Sequence, residues 1–262
     1  MKGSRSPEYS KLAYIYDTIM EDVDYEVWAD FIDEIIQTNH PDPVSILELA
    51  CGTGSMALSL DELMCYDIVA TDKSPHMIKI ARCKKRDNRW SDVDFKVMDF
   101  LDIALDRRFD AVISTFDSVN YLHKPRDIVR LLKEIKKVLK PDSIFVFDFT
   151  TPKNSIRSIK YLNNEEGYAP GNYRFFRKSS YNPSSRIHYN VFDIEKLDND
   201  METVLEKYHE VHKQKIYTLP EMLDIIDETE FTLLAKYDGF DLVEADESSL
   251  RITMVLQCPT IQ

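Results

Sequence analysis

The chain is poor in cysteine: Cys51, Cys65, Cys83 and Cys258 are all that 262 residues hold, and no two form a Cys-x-x-Cys pair. A metal site or a dithiol centre needs that kind of spacing, and a disulfide-stapled secreted domain needs a higher density. Reduced thiols and no bound metal are therefore expected. Long apolar runs are missing too. None approaches the ~18 residues that cross a bilayer, and no apolar signal core follows Met1-Lys2-Gly3-Ser4-Arg5. The sequence thus predicts a cytoplasmic protein without a membrane partner. Positive charge is the third shortage. With 33 Lys and Arg against 46 Asp and Glu, the net charge of -13 opposes a polyphosphate backbone, whose binding depends on basic side chains. Nucleic acid is disfavoured as a partner, and the basic run Arg82, Lys84, Lys85 and Arg86 reads as a solvated helix end.

What remains is an ordinary globular composition, 44% hydrophobic and 30% charged, enough for one sizeable core with an insertion. Two helices come first. In the second, Trp28, Phe31, Ile32, Ile35 and Ile36 recur at the spacing that paints one helical stripe, and Pro41 and Pro43 end it. Short β-rich runs then alternate with helical ones. The strands are expected at Ser45 to Ala50, Tyr66 to Thr71, Val93 to Met98, Phe109 to Ser114 and Ser143 to Phe149. Helices follow Gly54, run from Ser74 to Arg86, and run from Pro125 to Leu139. Such alternation predicts an α/β fold with a parallel sheet and right-handed crossovers. Between about Pro152 and Tyr217 the rhythm breaks into period-two segments, read as three antiparallel strands near Tyr173 to Ser180, Arg186 to Lys196 and Val204 to Tyr217. A helix from Pro220 and strands at Phe231 to Tyr237 and Leu250 to Gln257 resume the core. The predicted division is a core of residues 1–151 and 218–262, with residues 152–217 inserted after the fifth core strand.

The chemistry is concentrated in Ile46-Leu47-Glu48-Leu49-Ala50-Cys51-Gly52-Thr53-Gly54-Ser55-Met56-Ala57. An apolar strand enters a glycine turn that opens a helix, and glycine lets the backbone approach a ligand that a β-carbon would exclude. Asp72 stands 20 positions after Gly52, a spacing at which an acid reaches the ribose hydroxyls of a nucleoside. Gly52-Thr53-Gly54-Ser55-Met56-Ala57 also fits a dinucleotide loop, so an NAD(P)-dependent oxidoreductase is the alternative. Three features lean the other way. Glu48 on the strand suits a cationic amino-acid end, Asp99 is placed for an adenine amino group, and an aromatic-rich segment of ~45 residues precedes the first strand, unlike many dinucleotide folds.

These pieces resemble the class I S-adenosylmethionine-dependent methyltransferases. Glu48-Leu49-Ala50-Cys51-Gly52-Thr53-Gly54 is similar to their glycine motif. Asp72-Lys73-Ser74-Pro75-His76-Met77 is similar to their ribose acid and following helix, and Asp99-Phe100 to their adenine acid. Leu139-Lys140-Pro141-Asp142-Ser143 looks like the turn before the fifth strand, with Asp142-Ser143 where glycines are usual. Tyr14-Ile15-Tyr16-Asp17, Asp24-Tyr25-Glu26-Val27-Trp28 and Glu210-Val211-His212-Lys213-Gln214-Lys215-Ile216-Tyr217 resemble the small-molecule branch that includes sugar-amine N,N-dimethyltransferases.

The resemblance implies a Rossmann-like fold: an open, mostly parallel seven-stranded sheet with helices on both faces and a small antiparallel β insertion. It implies S-adenosyl-L-methionine as cofactor, held by Tyr16, Tyr25, Trp28, Glu48, Ala50, Gly52, Gly54, Asp72, Lys73, Met77, Asp99, Phe100, Ser114 and Phe116. The acceptor is then a small molecule, with an amine nitrogen the expected target. No Asn-Pro-Pro-Tyr type of motif of the DNA amino-methyltransferases follows the fourth strand. Tyr16 and Tyr121 are the first catalytic candidates, with His123 and His212 beside them. Strand alternation puts Tyr208, Glu210, His212 and Gln214 on one face and Lys207, His209, Lys213 and Lys215 on the other. The first face is expected to roof the site, and the second leaves room for a homodimer. A methyltransferase-like binding module without turnover is the third reading.

Overall fold

The computed structural model describes residues 4–5, 8–40, 42–88 and 91–259; Pro41 lies outside them. The chain runs β1 (Ser4–Arg5), α1 (Tyr16–Ile19), α2 (Tyr25–Asn39), β2 (Ser45–Leu49), α3 (Ser55–Asp61), β3 (Asp67–Asp72), α4 (Pro75–Asp87), β4 (Asp94–Val97) and β5 (Phe109–Ser114). It continues α5 (Pro125–Val138), β6 (Leu139–Thr150), α6 (Pro152–Leu162), β7 (Glu165–Ala169), β8 (Tyr173–Asn182), β9 (Ile187–Leu197), β10 (Val204–Lys215), α7 (Leu219–Asp227), β11 (Thr232–Asp238) and β12 (Arg251–Gln257).

Helix starts follow from local chemistry. Asp24 accepts from the Val27 amide at the head of α2, Ser74 accepts from the Met77 amide at the head of α4, and Thr218 and Glu221 form a reciprocal capping box at α7. Proline occupies the first turn of α4, α5, α6 and α7, where a missing N–H costs nothing.

Seven strands form one sheet in the order β11-β12-β6-β5-β2-β3-β4, all parallel except β12, which runs antiparallel between β11 and β6. Alternation along each strand divides the core between two faces. On β6, Phe145, Phe147 and Phe149 join Leu131, Ile135 and Met222 of α5 and α7. Ile144 and Val146 face the opposite way, into the layer of Phe31, Ile32, Ile35, Met56 and Ile78 from α2, α3 and α4. At about 25 cal/mol per Å² of apolar surface removed from water, these two layers are the main source of stability. The α/β expectation is met, with a sheet covered by helices on both faces.

The second sheet has the order β1-β10-β9-β8-β7 and is antiparallel apart from β1, which pairs in parallel with β10. Two elements here depart from the sequence reading. Residues 152–162 form α6, and β7 adds a fourth antiparallel strand to the three expected. Helix α6 buries only Ser155, so its apolar stripe is faint, and Gly167 with two acids hides β7. A small third core of Leu12, Ile15, Ala169, Phe175, Phe192 and Ile194 packs the N-terminal segment under this sheet.

The basic run of α4 is not simply solvated, contrary to its sequence reading. Arg82 donates to the Phe95 carbonyl from Nε and Nη2 at 3.1 and 2.6 Å, and Lys85 donates to that of Val93 at 2.8 Å. Lys84 reaches Ser55 Oγ at 2.6 Å and Asp17 Oδ2 at 3.1 Å.

Candidate active site

At the carboxyl ends of β2, β3 and β5, the sheet opens into a cavity of about 810 Å³. That is where a doubly wound sheet binds ligands. The turn after β2 makes its floor. Ala50, Gly52 and Gly54 all have positive φ, at 57°, 55° and 78°, so the backbone curls tightly there. The two glycines differ in purpose. A β-carbon on Gly54 would stand 2.6 Å from the Phe95 ring and 2.9 Å from Ala81 Cβ, whereas one on Gly52 meets nothing nearer than Tyr16 Cε1 at 3.7 Å. Gly54 is thus required by packing, whereas at Gly52 it is the left-handed backbone that favours glycine.

Asp72 braces this turn, its Oδ2 accepting from the Gly52 amide at 3.0 Å and its Oδ1 from the Ser74 amide at 2.7 Å. Burial pushes its carboxyl above the usual range despite those amides. Glu48 is 2% exposed, and its Oε2 has no hydrogen-bond partner. Burial and then the field of Asp72 push it up to about 8. A buried carboxyl beside a second acid calls for a cation, and the amino-acid end of S-adenosylmethionine brings an ammonium and a sulfonium. A dinucleotide pyrophosphate would bring negative charge instead. Across the cavity, Asp99 pairs with Lys73 at 2.8 Å and accepts from the Leu101 amide at 2.9 Å. Burial opposes its ionisation, but these partners outweigh it and hold the carboxyl below its ordinary value.

The far wall is aromatic. Tyr9, Tyr16, Phe116 and Tyr121 line both this cavity and a second, inner one of about 230 Å³. The Tyr9 and Tyr121 hydroxyls are 2.5 Å apart, and the Tyr121 hydroxyl lies 3.2 Å from His212 Nδ1. His212 Nε2 faces Glu210 Oε2 at 3.4 Å. Burial raises the Tyr9, Tyr16 and Tyr121 hydroxyls well above their usual range, so all three are neutral phenols at neutral pH.

Behind them lies a polar inner chamber. Phe116 and Asp117 are consecutive residues at φ 59° and 62°, a conformation costing about 1–2 kcal/mol per residue, and this turn sends the Asp117 side chain into the chamber. Arg251 Nη2 donates to Asp117 Oδ2 at 2.8 Å, and its Nη1 donates to Asp148 Oδ2. Burial drives both carboxyls up and Arg251 holds them down, with burial prevailing.

Of the residues proposed from sequence, Tyr16, Tyr25, Glu48, Ala50, Gly52, Asp72, Lys73, Met77, Asp99, Phe100, Phe116, Tyr121 and His123 line the larger cavity. Trp28, Gly54, Ser114 and His212 do not. Trp28 packs against Phe31, Phe116 and Phe240, because its helical stripe faces the core. Ser114 is fully buried in the sheet. His212 lines the inner chamber together with Gln214. Glu210, expected to roof the site, is consumed by structure: Oε1 accepts from Ser10 Oγ, the Lys11 amide and the Leu12 amide at 2.9, 2.5 and 3.1 Å. His123 precedes α5 and bonds the Lys213 carbonyl through Nε2 at 2.9 Å. The sequence reading missed Tyr9, Asp117, Arg177, Asn190 and Arg251. An arginine heading the otherwise apolar strand Arg251-Ile252-Thr253-Met254-Val255-Leu256 was the readable signal for the last.

A mostly parallel sheet with this order, an acid on the first core strand, a glycine turn and an acid ending the next strand make up the class I methyltransferase fold. Comparison with known proteins agrees: residues 46–142 match the model of the family described as a methyltransferase domain. The chain is 33% identical over 141 residues to YqeM of Bacillus subtilis (strain 168), which bears a methyltransferase name, covering 53% of this chain and 54% of that one. It is 28% identical over 125 residues to the dTDP-3-amino-3,4,6-trideoxy-alpha-D-glucopyranose N,N-dimethyltransferase of Streptomyces venezuelae, covering 48% and 50%. These matches thus span about half the length of each relative. Among solved structures, an S-adenosylmethionine-dependent methyltransferase from Clostridium acetobutylicum ATCC 824 has the same fold, with a TM-score of 0.76 and 24% identity over 96% of this chain and 99% of that one. Among the described residues, no helix is long and apolar enough to cross a membrane.

Proposed function

We propose that the chain transfers a methyl group from S-adenosylmethionine to the amine nitrogen of a small-molecule acceptor in the cytoplasm. The observation that carries this reading is Glu48, a buried carboxyl with an unpartnered oxygen on the cavity floor. When bound, S-adenosylmethionine supplies an electrophilic methyl on a sulfonium. The chain's part is alignment and exclusion of water, worth up to about 7–11 kcal/mol when reacting groups are well oriented. Glu48 holds the ammonium, Asp72 the ribose, and Asp99 with Phe100 the adenine. Tyr16, Tyr121 and their aromatic neighbours present the acceptor, and Tyr121 is in contact with His212 for a proton leaving the amine. The nitrogen assignment draws on the Streptomyces venezuelae relative, whose name specifies N,N-dimethylation. Residues 152–217 serve as the cap that selects the acceptor, because His212 and Gln214 line the chamber beside the cofactor cavity.

Calorimetry tests the reading. The protein is expected to bind S-adenosylmethionine and not NAD or NADP, and Asp72→Ala to weaken that binding by about 1–3 kcal/mol, the scale of a lost charged hydrogen bond. Nicotinamide binding without adenosylmethionine binding overturns it. Release of the homocysteine nucleoside across a panel of amines then separates an enzyme from a silent binding module.

A further inference from the structure

The inner chamber has chemistry of its own. Its lining includes Asn154, Ser155, Asn190 and Gln214 as well as Asp117 and Arg251, so about half of it is polar, against an apolar half that includes Leu12, Ile19 and Phe192. Its charge does not balance. Arg251 is shared by Asp117 and Asp148, and Arg177 is paired with Glu165 at 3.1 Å and bonded to Asn190 Oδ1 at 3.0 Å. Two guanidinium groups thus face three carboxyl groups, two of which, Asp117 and Asp148, are raised by burial. His188, pushed down to about 4 by burial and by Arg177, adds no positive charge at neutral pH. Among the carboxyls that line the chamber the unpartnered oxygen belongs to Asp117, while Glu210 Oε2, also unpartnered, lies against His212 instead. Both Asp148 oxygens are engaged, one by Arg251 and the other by the Asp117 amide at 3.3 Å, whereas Asp117 Oδ1 is buried with no hydrogen-bond partner.

Resting on the methyltransferase reading above, we infer that this chamber seats the acceptor and that Asp117 Oδ1 binds the acceptor's protonated amine. A buried carboxyl oxygen without a partner is costly, and an ammonium with three donors both satisfies it and favours its ionised form. At 230 Å³ the chamber is below the ~300–1,000 Å³ of sites for drug-sized ligands, which selects a compact, hydroxyl- or amide-bearing amine. The chamber shares Tyr9, Tyr16, Phe116 and Tyr121 with the cofactor cavity and so adjoins it, and the ammonium passes a proton to the Tyr121–His212 pair before its nitrogen lone pair takes the methyl and the C–S bond breaks. Asp117 is a specificity residue on this account, and Phe116 before it belongs to the wall.

The test uses protein saturated with S-adenosylhomocysteine and two matched probes, glucosamine and glucose, which differ by an ammonium in place of a hydroxyl. Calorimetry is expected to show saturable glucosamine binding, at least about tenfold tighter than glucose, as one charge-assisted hydrogen bond provides. Asp117→Asn should lose that preference while affinity for S-adenosylhomocysteine stays within about twofold. Ser158→Phe, which fills the chamber from α6 without touching the Arg251 network, should abolish glucosamine binding in the same way and guards against a folding defect in the first variant. No glucosamine binding, equal binding of glucose, or unchanged binding in both variants overturns the inference while leaving cofactor binding intact. Loss of S-adenosylhomocysteine binding by the unaltered protein overturns the methyltransferase reading, and this inference with it.

Discussion

Tyr121 and His212 meet at the junction of the two sheets, phenol oxygen to imidazole Nδ1 at 3.2 Å, from the turn after β5 and the middle of β10. The contact joins the wall of the cofactor cavity to the inserted strands through one hydroxyl. Changing Tyr121 to Phe keeps the ring and removes that link. Single-turnover rates should fall by about 100-fold, the lower end for a positioned proton-transfer group, with cofactor affinity nearly unchanged. Tyr16→Phe is expected to show the same separation. Unchanged rates in both variants would assign the two hydroxyls to packing.

Glu48 makes cofactor affinity depend on pH. With its carboxyl pushed up to about 8, it is mostly protonated at pH 7 and must ionise to hold an ammonium. Affinity for S-adenosylhomocysteine should therefore rise between pH 6 and about 8, and Glu48→Gln should flatten the rise. Stability without ligand runs the opposite way. The folded value lies above the unfolded one, so the contribution is complete below about 4.3 and is lost as pH rises through about 8. Denaturation at pH 8 should find Glu48→Gln more stable than the unaltered protein, by on the order of 3 kcal/mol, with no gain at pH 4.5.

The two motif glycines should separate cleanly in denaturant titrations. Gly54→Ala drives a methyl into Phe95 and Ala81, so a loss of about 2 kcal/mol or more is expected from overpacking plus a left-handed backbone. Gly52→Ala meets only ordinary contact, so about 1 kcal/mol of backbone strain is expected, with any larger effect appearing in ligand binding. Equal losses of stability would count against this division.

Glu210 is the clamp between β10 and the N-terminal segment. Burial opposes its ionisation, but His212, the Lys11 and Leu12 amides and Ser10 outweigh it, leaving the carboxyl below its ordinary value. A depressed folded value gives stability that is present above about 4.3 and lost as pH falls through the folded value. Glu210→Gln should cost about 1–3 kcal/mol at pH 7 and less at pH 3. A penalty independent of pH would place the loss in packing instead.

The core strands were legible because each fully buried strand is a short apolar run with its helix behind it; Phe109–Ser114 is expected and observed at the same bounds. That Glu48, Gly52, Asp72 and Asp99 share one cavity was legible because β2, β3 and β4 are neighbours in the sheet and these residues stand at or just beyond their carboxyl ends. The inner chamber was not. Asp117, Arg177, Asn190 and Arg251 come from four separated stretches, and only the packing of the second sheet against the first brings them together. Trp28 shows the opposite failure: an aromatic near the motif looked like a ligand contact, but its place in the helical stripe had already assigned it to the core.

Glu210 also sets the order in which the molecule can be completed. Ser10 waits for a partner 200 residues further on, a separation that postpones the contact both in synthesis and in folding. Tyr9, beside Ser10, enters the wall only when β10 has been made and paired. A nascent chain would thus possess the sequence of its glycine turn and Asp72 well before that of β10, and a ligand captured early would meet open water where the finished protein has three phenols.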